Sequence, residues 1–357
     1  MKYLLTSKAI SNGGDYLFTF RGIELAKKML GKENIKYVNA NIDEWKQLDL
    51  EEYDKVLVLG GPLYTNRLLE MDAFPILYEM KNRKKKIYFL GCGCYLNDDN
   101  GANVWNERFE PDVKELLDYV DYNGLLGCRD YLTSRILKNN GFSNVIMTGC
   151  PAWFSTDNKP FVINRTINKI VFSDAGLTKT KEIADEKYLQ TISVLQFIQN
   201  KFKNSTIIYT FNNGIETKLS ADFNKKVVAY LNEQNIKYFD LSNTSKKFEL
   251  YNTCDLHIGY RLHSHIYSLT QGIPSILICE DARGIGFDKV FGLEVVKSYD
   301  DNFKEEYRSN SYLINQIEAI IDEEISTNFL RYKYVIKQFE YYHNENLGKF
   351  FSRLIES

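Results

Sequence analysis

Asp255–Phe287 reads DLHIGYRLHSHIYSLTQGIPSILICEDARGIGF. Its first six residues, ending at Tyr260, have the apolar character of a short buried strand, and the triplet Arg261-Leu262-His263 sits at the turn that follows. From Ser264 the spacing of Ile266, Tyr267 and Leu269 predicts a short helix, stopped by Gly272 and Pro274 as helix ends commonly are. Ser275–Cys279 is then a second apolar strand, which breaks at a charged, glycine-bearing loop carrying Arg283. Strand–turn–helix–strand in so few residues is the unit of a parallel α/β sheet. Ligands of such sheets sit beyond the carboxyl ends of the strands. Here both strands end in Arg or His, so this edge is expected to be an anion site with one titratable group in it.

The same alternation extends in both directions. Upstream, strands are predicted at Lys2–Thr6, Ile35–Val38, Lys55–Leu59 and Ile87–Leu90, the last two running into the glycine loops GGPLY and GCGCY. Helical patterns lie between them: about Asp15–Leu30, Asn66–Met80, Asp112–Tyr119, and one opening at Asp130 and closing at Gly141. Residues 155–167 are polar and without periodicity, and after them the pattern restarts. Strands fall at Lys169–Phe172, Thr206–Thr210 and Ile236–Phe239, helices at Tyr188–Phe202 and Ala221–Asn232. Such alternation means parallel strands with crossover helices. The fold class is therefore α/β, with two Rossmann-like domains facing a cleft, residues 1–155 and 165–305. Residues 306–357, read as wholly helical from 312 on, are expected to pack across both.

With 357 residues, two domains are the better prior. A chain that is 44% hydrophobic and 26% charged is globular rather than disordered. A formal net charge of -2 argues against a nucleic-acid partner. No apolar run is long enough to span a bilayer, and the first residues do not read as a signal peptide. The expected location is the cytoplasm, with membrane contact at most peripheral. The six cysteines form no metal-ligand spacing with a nearby His, so reduced, buried thiols and no metal site are expected.

IGYRLHSHIYSLTQGIPSILI, with a basic residue in the next loop, is similar to the signature of the polysaccharide pyruvyl transferase family. So are GCRDYLTSRILKNNGFSNVIMTGCPAW and the early NGGD and LVLGGPL segments, all in the family's order. The resemblance implies a fold like that of GT-B glycosyltransferases. It also implies transfer of an enolpyruvyl-derived unit from phosphoenolpyruvate onto sugar hydroxyls as a ketal, with no further cofactor. The acceptor would be a sugar of a cell-surface polysaccharide or its lipid-linked precursor, handled at the inner face of the membrane. The chain departs from the family pattern at Arg283, where Lys is usual, and at Gly60-Gly61-Pro62, where three glycines are usual.

The residues can be weighed against that chemistry. Phosphoenolpyruvate carries a carboxylate and a phosphate, and the arginine fork fits both bidentately. Arg129, Arg261 and Arg283 each stand at a predicted strand end, beside helix starts whose N–H groups also favour anions. An arginine taken singly is more often a surface ion pair; three at one topological edge reverse that weighting. His263 is the expected general acid, since an imidazole delivers a proton near neutral pH; the alternative is a structural histidine. His265 and His257 read as structural. Asn12, Gly13, Gly14 and Asp15 form a glycine turn expected to face the acceptor, as is Gly61, with Asp15 contacting or deprotonating a hydroxyl. Tyr64, Asn66, Tyr95, Asn97 and Trp105 are weaker sugar contacts. The competing reading is a GT-B glycosyltransferase using a nucleotide sugar, for which Glu280 and Asp281 are the nearest ribose-gripping residues. A non-enzymatic sugar sensor or scaffold is a third.

Overall fold

The computed structural model describes residues 1–64, 75–94, 108–155, 159–161, 166–176, 180–299 and 310–356. Two compact units divide the chain. The first comprises Met1–Ile10, Phe18–Phe154 and Gln338–Ser357, the second Ser11–Leu17 and Ser155–Lys337.

The first unit is built on six parallel strands: β1 (Tyr3–Ser7), β2 (Ile35–Asn39), β3 (Lys55–Leu59), β4 (Lys86–Cys92), β5 (Leu125–Cys128) and β6 (Val145–Met147), in the order β2-β1-β3-β4-β5-β6. Strands such as KVLVL are buried along their whole length, as expected of a parallel sheet covered on both faces. The helices are α1 (Gly13–Leu30), α2 (Pro75–Asn82), α3 (Pro111–Asn123) and α4 (Tyr131–Asn139). Asp130 caps α4, its carboxylate accepting from the Thr133 N–H at 2.8 Å. Residues 66–74 of the helix expected at Asn66–Met80 lie outside the described residues.

The second unit repeats the plan with β7 (Lys169–Ser173), α5 (Lys181–Lys201), β8 (Thr206–Phe211), α6 (Ala221–Glu233), β9 (Lys237–Asp240), β10 (Leu256–Gly259), α7 (Leu262–Thr270), β11 (Ser275–Cys279), α8 (Ala282–Phe291), β12 (Val296–Lys297) and α9 (Asn310–Ser326). The sheet order is β12-β11-β10-β7-β8-β9, all parallel. That is the dinucleotide-fold order, and its direction reverses between β7 and β10. Phe172, Tyr209, Phe211, Ile258 and Ile278 fill its core. Each such side chain contributes about 1.5–3 kcal/mol when fully buried.

Three expectations are corrected. The charged segment after β11 is not a loop but α8, because Asp281 caps it by accepting from the Arg283 N–H at 2.9 Å. The helix before β8 starts seven residues earlier than Tyr188, at Lys181, where the Thr180 side chain caps it. The C-terminal segment breaks between α9 and the last helix, α10 (Leu330–Glu356). Asn328 and Phe329 both adopt left-handed φ there (53° and 58°), and the Phe329 N–H donates to Glu324 O at 2.7 Å, a Schellman-like stop.

Candidate functional site

The second sheet's switch point brings the carboxyl ends of β7 and β10 side by side, with Ser173 paired to Gly259. Gly259 has a φ of +152°, and a Cβ there would collide with Ser173. This close approach places Arg261 directly over the Ser173–Asp174 turn. Its backbone N–H donates to Ser173 Oγ at 3.1 Å. Its guanidinium donates to Asp174 in a fork, Nε to Oδ1 at 2.7 Å and Nη2 to Oδ2 at 2.8 Å, with Nη2 also reaching Ala175 O at 2.7 Å. Asp174 is buried, which pushes its carboxyl up, while the Arg261 charge pulls it down. The planar bidentate geometry is that of an ionised pair.

His263 is the second residue of α7. Gly14, at the start of α1, lies directly against its ring: a Cβ on Gly14 would collide with Nδ1, Cγ and Cβ of the imidazole. Gly13 is equally confined by Leu241 O, and its N–H donates to Asn212 O at 2.8 Å. Asn12 forms the turn, accepting from the Gly14 N–H through Oδ1 at 2.8 Å and from the Asp15 N–H through its carbonyl at 2.9 Å. The NGGD motif thus brings Asn12, Gly13, Gly14 and Asp15 to the first turn of α1 within the second unit, together with Arg261 and His263. Both glycines are required because protein atoms pack on their Cα atoms.

Arg283 lies in the first turn of α8 and shares its fork with Asp281, its Nε 3.0 Å from both Oδ1 and Oδ2. Glu280, just before, is joined to Lys187 at 2.6 Å and accepts from the Gly176 N–H at 2.6 Å. The two acidic residues nearest to a ribose-gripping role therefore have local partners.

Arg129 and Gly61 belong to the first unit. Arg129 follows β5 at the sheet's carboxyl edge and is almost wholly buried, its Nε 3.6 Å from Asp130 Oδ2. Its Nε and Nη2 have no hydrogen-bond partner among the described residues. A buried guanidinium left in that state is costly unless an anion completes it. Gly61 (φ +86°) follows β3 at the same edge. Of the three arginines, two thus share their forks with aspartates, and the third has two nitrogens without a hydrogen-bond partner among the described residues. Tyr64 is buried, its OH donating to Gly127 O at 3.2 Å, so this expected sugar contact is part of the core. Asn66, Tyr95, Asn97 and Trp105 lie outside the described residues.

Several site residues were not singled out from sequence: Ser173, Asp174, Asn212 and Asn213. Asn212 Nδ2 donates to Ser264 Oγ at 3.0 Å, and its N–H donates to Asp174 Oδ1 at 3.1 Å. With its amide oxygen turned to the arginine, Asn213 accepts from Arg261 Nη2 at 3.0 Å. Their signal was present as SDAG and FNNG, polar runs directly after apolar strands. All six cysteines are buried free thiols, and burial raises those of Cys92, Cys128 and Cys150. Among the described residues no group of three or more His, Cys, Asp or Glu is placed to hold a metal ion.

A family model described as polysaccharide pyruvyl transferase matches residues 12–279. No curated protein matches the sequence. Among solved structures, the chain is similar to S. aureus MnaA with UDP (TM-score 0.58, 12% identity, 95% of this chain and 91% of that one). It is also similar to trehalose-6-phosphate synthase OtsA (0.56, 11%, 100% and 98%) and to UDP-GlcNAc 2-epimerase from Neisseria meningitidis bound to UDP-GlcNAc (0.55, 11%, 94% and 94%). At these identities the likeness establishes the fold: two Rossmann-like units of the GT-B type.

Proposed function

The chain belongs to the polysaccharide pyruvyl transferase family, and from that premise we propose that it moves a pyruvyl group from phosphoenolpyruvate onto two hydroxyls of a saccharide as a ketal. In this reading His263 protonates the methylene carbon of the enol, which develops positive charge at the adjacent carbon. A first sugar hydroxyl adds there, phosphate leaves with its electron pair, and a second hydroxyl closes the ketal. One hydroxyl proton replaces the one delivered to the methyl group, the other leaves with phosphate, and in this reading Asp15 accepts from a hydroxyl. Arg129 holds an anionic group of the substrate, and Arg261 presents the first turn of α7 through its grip on Asp174. Arg283 adds positive charge, softened by Asp281. Asn12, Gly13, Gly14 and Gly61 shape backbone against which substrate rests. The acceptor is a sugar of a cell-surface polysaccharide or of its lipid-linked precursor.

The observation that carries this reading is the buried Arg129 guanidinium, inside the family-matched region, whose Nε and Nη2 have no hydrogen-bond partner among the described residues. The nucleotide-sugar alternative gains no such support, since Glu280 and Asp281 are held by Lys187 and Arg283. The test is phosphate release from phosphoenolpyruvate against a panel of lipid- and nucleotide-linked oligosaccharides, with and without EDTA. Acceptor-dependent release that survives chelation is expected, and Arg129→Met should abolish it while shifting the melting temperature little. Breaking a buried ion pair that serves only the fold would instead cost about 3–5 kcal/mol. No release with any acceptor, alongside turnover of a nucleotide sugar, would overturn the proposal.

A further inference from the structure

Behind the switch point runs a line of buried polar groups that the reaction does not use. Ser275 Oγ lies 2.6 Å from His257 Nδ1 and 2.6 Å from His265 Nδ1. His257 Nε2 lies 2.9 Å from Ser173 Oγ, and His265 Nε2 lies 3.0 Å from Asp288 Oδ1. All five residues are buried, so no solvent completes these bonds. The line begins at the Arg261 N–H, which donates to Ser173 Oγ, and ends at a carboxylate on α8.

We infer that His257 and His265 are fixed in opposite tautomers by Ser275, and that this directed relay makes them positioning residues for the Arg261–His263 turn. The argument is one of proton counting. A serine hydroxyl has one hydrogen, so Ser275 donates to one imidazole and accepts from the other. An ionised Asp288 has no hydrogen to give, and its Oδ1, 3.0 Å from His265 Nε2 although not aligned as a hydrogen bond, favours the His265 hydrogen on Nε2 and leaves Nδ1 bare. Ser275 therefore donates to His265 and accepts from a His257 hydrogen on Nδ1. His257, which burial keeps neutral, then accepts through Nε2 from the Ser173 hydroxyl. Ser173 Oγ is free to accept from the Arg261 N–H. Between the Arg261 N–H and His265 Nδ1 every donor then meets an acceptor in one sense only, and buried hydrogen bonds linked in this way hold one another in place.

The mechanical consequence falls on α7. Arg261 is the residue before its first turn, and the Ser173 hydroxyl receives its N–H. His265 closes the first helical turn by donating its N–H to Arg261 O at 3.0 Å. The relay thus grips both ends of the segment that presents His263. Misplacing a reacting group by about 1 Å can cost on the order of 100-fold in rate.

The assignment of a catalytic consequence rests on the proposed role of His263, so the test has one arm that needs no substrate. In the full chain labelled with ¹⁵N histidine, the ring-nitrogen shifts of His257 should report hydrogen on Nδ1 and those of His265 hydrogen on Nε2. Identical tautomers, or the reverse order, would overturn the relay whatever the enzyme's reaction. The second arm compares Ser275→Ala with Ser275→Thr, which keeps the hydroxyl. Ser275→Ala should release the Arg261 amide to faster hydrogen exchange and lower kcat for phosphate release by roughly 10-fold or more, with KM for phosphoenolpyruvate little changed. Ser275→Thr should restore both. Wild-type kcat and exchange in Ser275→Ala would show that the relay positions nothing. Absence of phosphate release in wild-type protein would instead sink the proposed function and leave the tautomer and exchange results standing.

Discussion

At the scale of single residues, the pairing of Gly14 with His263 is a contact with no room to spare. Two positions 249 residues apart in the chain meet so closely that one of them cannot carry a Cβ. If His263 protonates the enol, its ring must stay where Gly14 seats it. His263→Gln should therefore lose about 10²- to 10⁴-fold in kcat with the melting temperature unchanged. Gly14→Ala should lose a comparable fraction by displacing a ring that is chemically intact. The pair separates two explanations. Near-wild-type turnover in His263→Gln removes the acid role, and full activity in Gly14→Ala shows that the position of the ring does not matter. The reason the sequence hides this pairing is physical. NGGD reads as a strand-to-helix turn open to a ligand, and nothing local shows that Leu241 and an imidazole occupy the space. Asp174 was hidden in the same way, because its grip on Arg261 depends on β7 and β10 being neighbours, and parallel register leaves no local trace.

At the scale of elements, the apolar strands were legible because a strand buried on both faces has to be apolar throughout. KVLVL and SILIC keep the limits their composition implies. Polar segments were less legible. The run after β11 looks like a loop until the Asp281 cap is seen, and the α9–α10 elbow carries neither Gly nor Pro. That elbow has a measurable signature. Glu324 is buried near it, with Oε1 3.2 Å from Arg331 Nε. Burial raises its carboxyl from 4.5 to about 7, against the opposing pull of Arg331. A carboxyl that holds its proton more tightly when folded favours the fold most below its unfolded value near 4.5. That advantage is lost as the pH rises to about 7, and the loss is constant above. Glu324→Gln cannot ionise, so it should match the wild type near pH 4.5 and exceed it in stability at pH 8, by up to about 3 kcal/mol. Denaturant melts at the two pH values check this. A constant difference between variant and wild type across the range would show that Glu324 does not titrate between them.

For the molecule as a whole, a lipid-linked acceptor, as proposed above, raises the question of membrane contact. Among the described residues no helix is long and apolar enough to cross one, so any contact would be adsorption. Adsorption needs an exposed apolar face beside basic charge. The aromatic stripe of α10, a pattern at helical spacing that fits core packing better than membrane contact, is buried at Tyr332, Val335 and Phe339, with Tyr332 stacked on Phe161 and its OH donating to Ser275 O at 2.9 Å. Those side chains hold the fold and are not available to lipid. Among the described side chains, the large apolar residues α10 leaves exposed are Leu330, Tyr334, Tyr341 and Ile355, spread along a helix of 27 residues. Of the nearby cations, Lys349 is paired with Glu345 and Arg331 with Glu323. Each basic residue at an anionic surface is worth about 1 kcal/mol, less when it already has a carboxylate partner, and the chain's net charge of -2 opposes approach. The expected outcome of flotation with anionic vesicles is therefore little bound protein at low salt and none at high salt, since salt screens what attraction remains. Strong flotation that persists at high salt would mean that the exposed apolar residues of α10 insert, and that the enzyme meets its acceptor at the bilayer rather than receiving it from solution.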